Sequence, residues 1–342
     1  MNLAQLFLVG FDGCSLDSSH WLTTALQQNP PGGVILFDRN VDGSIQNFSS
    51  SAGLKRLTAQ LHELAAAPLL IAVDQEGGRV RRLKERDGFP AFPTAEELGR
   101  CGPERCAESA AAMAQLLAEH GINFNLAPVV DLNLNPASPI IARYGRSFSS
   151  SPSCAAACCR AFIEAHRQHG VACCLKHFPG HGSAKGDTHL GFVDITEDWQ
   201  EIELEPYRLL IRDGLADAVM TAHVVVHRGL EPMGLPASLS PAVTALLRGQ
   251  LGFTGLIITD DLQMKAVTER YGYGEAVRLA VLAGADMLIV GGNLSRSPTA
   301  LAEGAAAVQE LLDQGLITEE RIKASLARTA ALQNTKLKGE GT

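Results

Sequence analysis

The sequence predicts an α/β protein, a single (β/α)8 barrel of the TIM type, on three observations. Short apolar runs alternate with amphipathic, alanine-rich segments almost to the C-terminus. Eight such runs occur, the strand number of that architecture. No shift in composition marks a second domain across the 342 residues, a length within reach of one large barrel. The domain is expected to span residues 1–335, with 336–342 as a frayed polar tail.

In chain order, the strand candidates are 6–10, 33–37, 69–74, 122–126, 171–176, 218–223, 256–260 and 287–290. Helical patterns lie between them around 21–28, 45–66, 103–120, 152–169, 201–213, 241–251 and 274–283. Two more, 298–312 and 318–330, follow the last strand. Pro103, Pro152, Pro241 and Pro298 stand near helix starts, where the missing amide is not needed. Gly121, Gly170, Gly214, Gly284 and Gly315 close helical patterns, as C-terminal caps do.

Composition narrows the function classes. A hydrophobic fraction of 46% supports a sizeable core. A net charge of −8 argues against nucleic acid or anionic membrane as the main partner, since both need a basic surface. The start, MNLAQLFLVGFDGCS, has neither a basic region nor an A-x-A site, so it reads as a strand rather than a signal peptide. No stretch of about 18 apolar residues is present to cross a membrane. The eight cysteines form no C-x-x-C pair, and two sets are adjacent dipeptides, so neither a zinc site nor a disulfide framework fits. Small buried thiols in a reducing cytoplasm are expected.

In such barrels the active site lies at the C-terminal ends of the strands. Here those ends carry Asp74, Lys176-His177, His223 and Asp260, with Gly291-Gly292 after the last. The stretch KHFPGHGSAKGDTH, residues 176–189, adds three histidines, two lysines and an aspartate within fourteen positions. His177 and His181 would share a helix face, but Pro179, Gly180 and Gly182 oppose a helix there. With no H-E-x-x-H and no H-x-H pattern, no metal is expected. Asp187-Thr188-His189 instead supplies a titratable imidazole with an orienting carboxylate. Asp260 ends the apolar run of GLIITDD and is placed to attack or stabilise an oxocarbenium-like carbon. Asp261 reads as a helix N-terminal carboxylate. Asp74 to Val80, an apolar strand ending in carboxylates and then glycines, suits a polyol: Asp74 accepts from hydroxyls while Arg82 and Arg146 donate.

These residues resemble glycoside hydrolase family 3, and within it the bacterial β-N-acetylglucosaminidases of peptidoglycan recycling. The matching motifs are 33–37, 74–80, KHFPGHG at 176–182, Asp187-Thr188-His189, and Thr259-Asp260-Asp261-Leu262 with Met264. KHFPGHG followed closely by D-x-H is the specific signal; the last motif alone is weak.

The resemblance implies a retaining exo-β-N-acetylglucosaminidase without metal or organic cofactor. The implied substrates are muropeptide fragments bearing anhydro-N-acetylmuramic acid. By position, Asp260 matches the nucleophile, and His189 the acid/base, paired with Asp187 on a mobile loop. Asp74, Arg82, Arg146, Lys176 and His177 match residues that bind the sugar hydroxyls, and His181 supports the loop. A cytoplasmic monomer is expected, with a saccharide or muropeptide as its partner and neither nucleic acid nor membrane. Ser183-Ala184-Lys185-Gly186 and the pair His227-Arg228 depart from the pattern, the latter beside the leaving-group side. A single domain is expected, without the second α/β domain of many plant and fungal β-glucosidases of the family, which with a histidine acid favours N-acetylhexosaminidase over β-glucosidase. Three alternatives stay open. One is a phosphorylase on the same residues, since a histidine acid leaves less negative charge beside an incoming anion. Another is a metal-dependent hydrolase using His177, His181 and His223. The third is a non-catalytic saccharide-binding barrel.

Overall fold

The computed structural model describes residues 1–188, 190–227 and 229–334. Its central sheet has eight parallel strands: β1 (Phe7–Val9), β2 (Gly33–Ile35), β3 (Leu70–Val73), β4 (Phe124–Asn125), β5 (Ala172–Phe178), β6 (Ala218–Thr221), β7 (Leu256–Thr259) and β8 (Leu288–Val290). Each pairs with its neighbour in sequence. β8 returns to β1 with Leu288 opposite Phe7, and a parallel bridge between Ile258 and Met287 joins β7 to β8. The sheet therefore closes into the predicted barrel, and each of the eight predicted runs overlaps a strand, β5 running two residues past its predicted end.

Closure sorts the side chains by the period of two along each strand. Leu8, Ile35, Phe124, Ala218, Ile258 and Ile289 pack in one buried cluster inside the barrel, joined by Leu332. Their neighbours Phe7, Val9, Val34, Val219, Ile257 and Leu288 are buried in a second cluster with the surrounding helices.

Those helices are α1 (Trp21–Gln28), α2 (Ser51–Leu64), α3 (Ala95–Cys101), α4 (Pro103–Glu119), α5 (Pro152–Gln168), α6 (Glu205–Arg212), α7 (Pro241–Ala245), α8 (Lys265–Tyr271), α9 (Tyr273–Ala283), α10 (Ala300–Asp313) and α11 (Glu319–Asn334). Proline opens α4, α5 and α7, and the five predicted cap glycines all have φ between +66° and +106°. The structure departs from the sequence reading in four places. α2 starts only at Ser51, where the Ser50 hydroxyl accepts from the Gly53 amide and caps the helix. The pattern at 201–213 divides into a 3-10 turn, Glu201–Leu204, and α6, and α7 runs on into a π turn, Leu246–Gln250. α3 and α8 were not anticipated, being seven residues each. α3 carries a glycine mid-helix, Gly99, because a Cβ there would lie 1.8 Å from the Phe148 carbonyl oxygen.

Five cysteines are buried as expected, but Cys14, Cys101 and Cys154 are exposed, which corrects the expectation of uniformly buried thiols. Among the described residues no helix is long and apolar enough to cross a membrane. The predicted tail 336–342 lies outside the described residues.

At the end of the barrel where β8 begins, buried Asp286 ties three elements together. Its carboxylate accepts from the Ile257 amide (3.0 Å), the Ser325 hydroxyl (2.6 Å) and Arg328 Nη1 (3.0 Å), and it also pairs with Arg248. Asp286→Ala leaves these arginines without their shared anion and is expected to cost about 3–5 kcal/mol in urea unfolding. An unchanged midpoint would contradict the clamp.

Candidate active site

A cavity of about 850 Å³ opens where the strands end, over a floor of Ile35, Leu126, Met220 and Ile289. Its walls carry Asp74, Glu76, Lys176, His177, Arg146, Asp260 and Asp261, and Arg79, Lys84, Arg86 and Tyr144 also line it. An apolar floor beneath convergent polar groups suits a ring with C–H faces and hydroxyl edges.

β3 delivers the first wall. Asp74 follows the strand directly, and a short hairpin (Gln75–Gly77 with Val80–Arg81) brings Glu76 beside it. Lys176, near the end of β5, is buried and reaches both carboxylates, at 2.8 Å from Asp74 Oδ1 and 2.7 Å from Glu76 Oε1. Arg82 holds the other Asp74 oxygen at 2.8 Å and lies over the Phe37 ring. Arg146 grips Glu76 with two bonds of 2.8 Å. Burial would raise both carboxylates, but the cations outweigh it. Lys176 and Arg82 hold Asp74 far below the usual carboxylate range, and Arg146 with Lys176 bring Glu76 down to about 2. Both are therefore anions at neutral pH, acceptors only, as hydroxyl recognition requires.

The second wall hangs on Asp131, which sequence reasoning missed. Its carboxylate accepts from the His177 amide (3.2 Å), the His181 amide (2.9 Å) and His177 Nδ1 (2.7 Å). Burial works against its ionisation, yet His177 keeps it below its ordinary value, so the anion fixes the His177 proton on Nδ1. Nε2 is then the acceptor, 3.5 Å from Arg146 Nη2. The signal was present: Asp131 follows an apolar run just beyond β4, the rule that found Asp74. Among the described residues neither ring nitrogen of buried His181 has a partner, and burial pushes it down to about 4, so it is neutral. His223 spends Nδ1 on the Ser238 hydroxyl (2.6 Å) and Nε2 on the Asp261 carbonyl (2.8 Å). A metal triad of His177, His181 and His223 would need those nitrogens.

Asp260 follows β7, with its amide bonded to the Thr221 carbonyl at 3.0 Å and its carboxylate on the cavity wall. The Asp261 amide donates to Asp260 Oδ1 at 2.8 Å. Asp261 does not start a helix as expected, since α8 begins only at Lys265. It instead accepts from the Gln263 and Gly291 amides at 3.0 and 3.2 Å, tying β7 to β8. Burial, with Asp260 and Asp74 nearby, pushes it up to about 7.

Six predicted residues thus meet around one cavity: Asp74, Arg82, Arg146, Lys176, His177 and Asp260. Asp187 is half-buried in the loop after β5 and is not among the cavity's walls. His189 and Arg228 lie outside the described residues. Glu76 stood in a quoted motif without a role. Tyr144, under the Arg79 guanidinium at 5.1 Å, had no sequence signal.

Comparison with known proteins agrees with the barrel fold. The family model described as the glycosyl hydrolase family 3 N-terminal domain matches residues 1–332. A beta-hexosaminidase of Tolumonas auensis is 38% identical over 293 residues, 84% of this chain and 82% of that protein. A solved family 3 beta-N-acetylglucosaminidase from a Paenibacillus species superposes with a TM-score of 0.89 at 35% identity, covering 100% of this chain and 63% of that one. A beta-N-acetylhexosaminidase from Beutenbergia cavernae gives a TM-score of 0.82 at 31% identity, over 97% of both chains.

The depressed Glu76 makes a testable statement about acid. Its contribution is fully present above its ordinary value of 4.5 and is lost as pH falls through about 2. That contribution is on the order of 3 kcal/mol. Glu76→Gln should therefore flatten the fall in stability between those pH values, measured by urea unfolding at each pH. Parallel profiles for the two proteins would refute the pairing.

Proposed function

The chain belongs to glycosyl hydrolase family 3, and we propose that it is a retaining exo-β-N-acetylglucosaminidase built on a single barrel domain, residues 1–335. One observation carries the reading: Asp260 stands on the same cavity wall system as the ionised Asp74–Lys176–Arg82 clamp. A sugar gripped by that clamp would present its anomeric carbon to a carboxylate at a strand end. Relatives named beta-hexosaminidase support an N-acetylhexosamine as the sugar.

In the first step Asp260 forms a bond to the anomeric carbon while His189 gives its proton to the departing glycosidic oxygen. The nucleophile is generated by position and hydrogen bonding. Asp260 receives the Asp261 amide, and the protonation of Asp261 near neutrality spares it a second full charge at its side. In the second step His189 takes a proton from water, which attacks the glycosyl carbon and releases Asp260. Inversion twice retains configuration. Asp187 orients the His189 ring. Asp74, Lys176, Arg82, Arg146 and His177 hold the hydroxyls of the terminal sugar throughout. The leaving group is a muropeptide bearing anhydro-N-acetylmuramic acid, and the setting a monomer in the cytoplasm.

A second reading, phosphorolysis, draws on the cations Lys176, Arg82 and Arg146 in one cavity, one more than the carboxylates Asp74 and Glu76 that pair them. Product analysis separates the two. Hydrolysis gives free sugar whether or not phosphate is added, and phosphorolysis gives sugar 1-phosphate.

Asp260→Ala should lower turnover of an aryl N-acetylglucosaminide by at least about 10³-fold while the protein stays folded. Turnover at the normal rate would sink the assignment.

A further inference from the structure

We propose that Glu203 is a positioning residue for the proton transfer, fixing the root of the segment that carries Asp187 and His189. The inference rests on the reading of His189 as acid/base.

Glu203 lies in the 3-10 turn ahead of α6 and is 1% exposed. Its Oε2 accepts from the Gly182 amide at 3.0 Å. Its Oε1 accepts from the Ser183 hydroxyl at 2.7 Å and the Gln200 amide at 3.4 Å. The backbone comes close enough that a Cβ on Gly180 would stand 2.6 Å from Glu203 Cβ. From the other side, Asn135 donates to the Gly182 and Ala184 carbonyls at 3.2 and 3.0 Å, and a Cβ on Gly182 would meet the Leu132 carbonyl oxygen at 1.7 Å. The turn is thus clamped between two loops at residues 182 and 183, and Asp187 follows four positions later.

Three donors converge on Glu203, and an ionised carboxylate, accepting on both oxygens, matches all of them. Yet among the described residues no cation pairs with it, and burial, with the Asp131 carboxylate adding, pushes it up to about 7. A group serving only to fill space would be an amide or an alkyl chain, without that penalty. A general acid, by contrast, must stand within hydrogen-bond reach of the leaving oxygen. Its loop therefore gains from an anchor that holds a backbone amide and a side chain together.

The test compares kcat/KM for two substrates, a methoxyphenyl N-acetylglucosaminide, whose departure needs the proton, and a dinitrophenyl one, whose departure does not. Glu203→Gln keeps the shape but turns an amide N–H₂ towards a donor. It should lose about 10- to 100-fold on the first substrate and less than about threefold on the second, the signature of a displaced acid. Ser183→Ala, which removes one bond only, should shift the same ratio in the same direction by less. The ratio is insensitive to how much protein is folded. A ratio equal to wild type in both variants overturns the proposal. His189→Ala runs alongside: if it shifts the ratio and Glu203→Gln does not, the positioning role alone fails. If His189→Ala leaves the ratio unchanged, the acid/base reading fails and this inference with it.

Discussion

The Lys176 ammonium, withdrawn from water between Asp74 and Glu76, is the interaction around which the cavity is arranged. A lone buried cation would be prohibitively desolvated, and so would either carboxylate. Together they are stable only in one geometry, because each oxygen must face its own donor. That requirement locks the β3 loop, the end of β5 and the loop bearing Arg146 to one another before any ligand arrives. The ionised carboxylates are thus aligned in advance, and a ligand entering the cavity would find little to reorganise.

A second tier of buried carboxylates works from behind. Asp131 and Glu203 do not belong to the same elements, yet both take backbone amides from the turn that follows β5. Asp131 also sets the proton position on His177. One long peptide, residues 176–183, thus presents Lys176 to the Asp74 and Glu76 carboxylates, His177 to the cavity wall, and its far end to the loop beyond. Its shape is dictated by acids contributed from elsewhere.

The barrel was legible because burial on both faces makes its strands continuous apolar runs, and the carboxylates at their ends break those runs abruptly. Asp74 and Asp260 could be found this way, and Asp131 could have been, since it differs only in standing several residues past its short strand. Lys176 and His177 stand at a strand end in the same way, Arg146 is legible as a donor to a polyol, and the resemblance to a known family adds a role for each. What stayed hidden depends on contacts distant in sequence. Glu203 sits in EIELEPYR, where periodicity reads as a solvated helix face. The ion pair of Glu76 with Arg146 spans 70 positions. α3 and α8 were lost to their shortness, and Asp261 was misjudged because nothing local announces that α8 waits until Lys265.

The cysteines, none of which lines the cavity, give the molecule an internal gauge of its own opening. Cys14, Cys101 and Cys154 meet solvent; Cys106, Cys158 and Cys159 are sealed on the facing helices α4 and α5. Cys173 and Cys174, adjacent on β5, belong to the outer and inner clusters respectively. A thiol reagent therefore reads three depths in one experiment: surface at once, the helical layer when it parts from its neighbour, and the lumen only when the cylinder itself breaks.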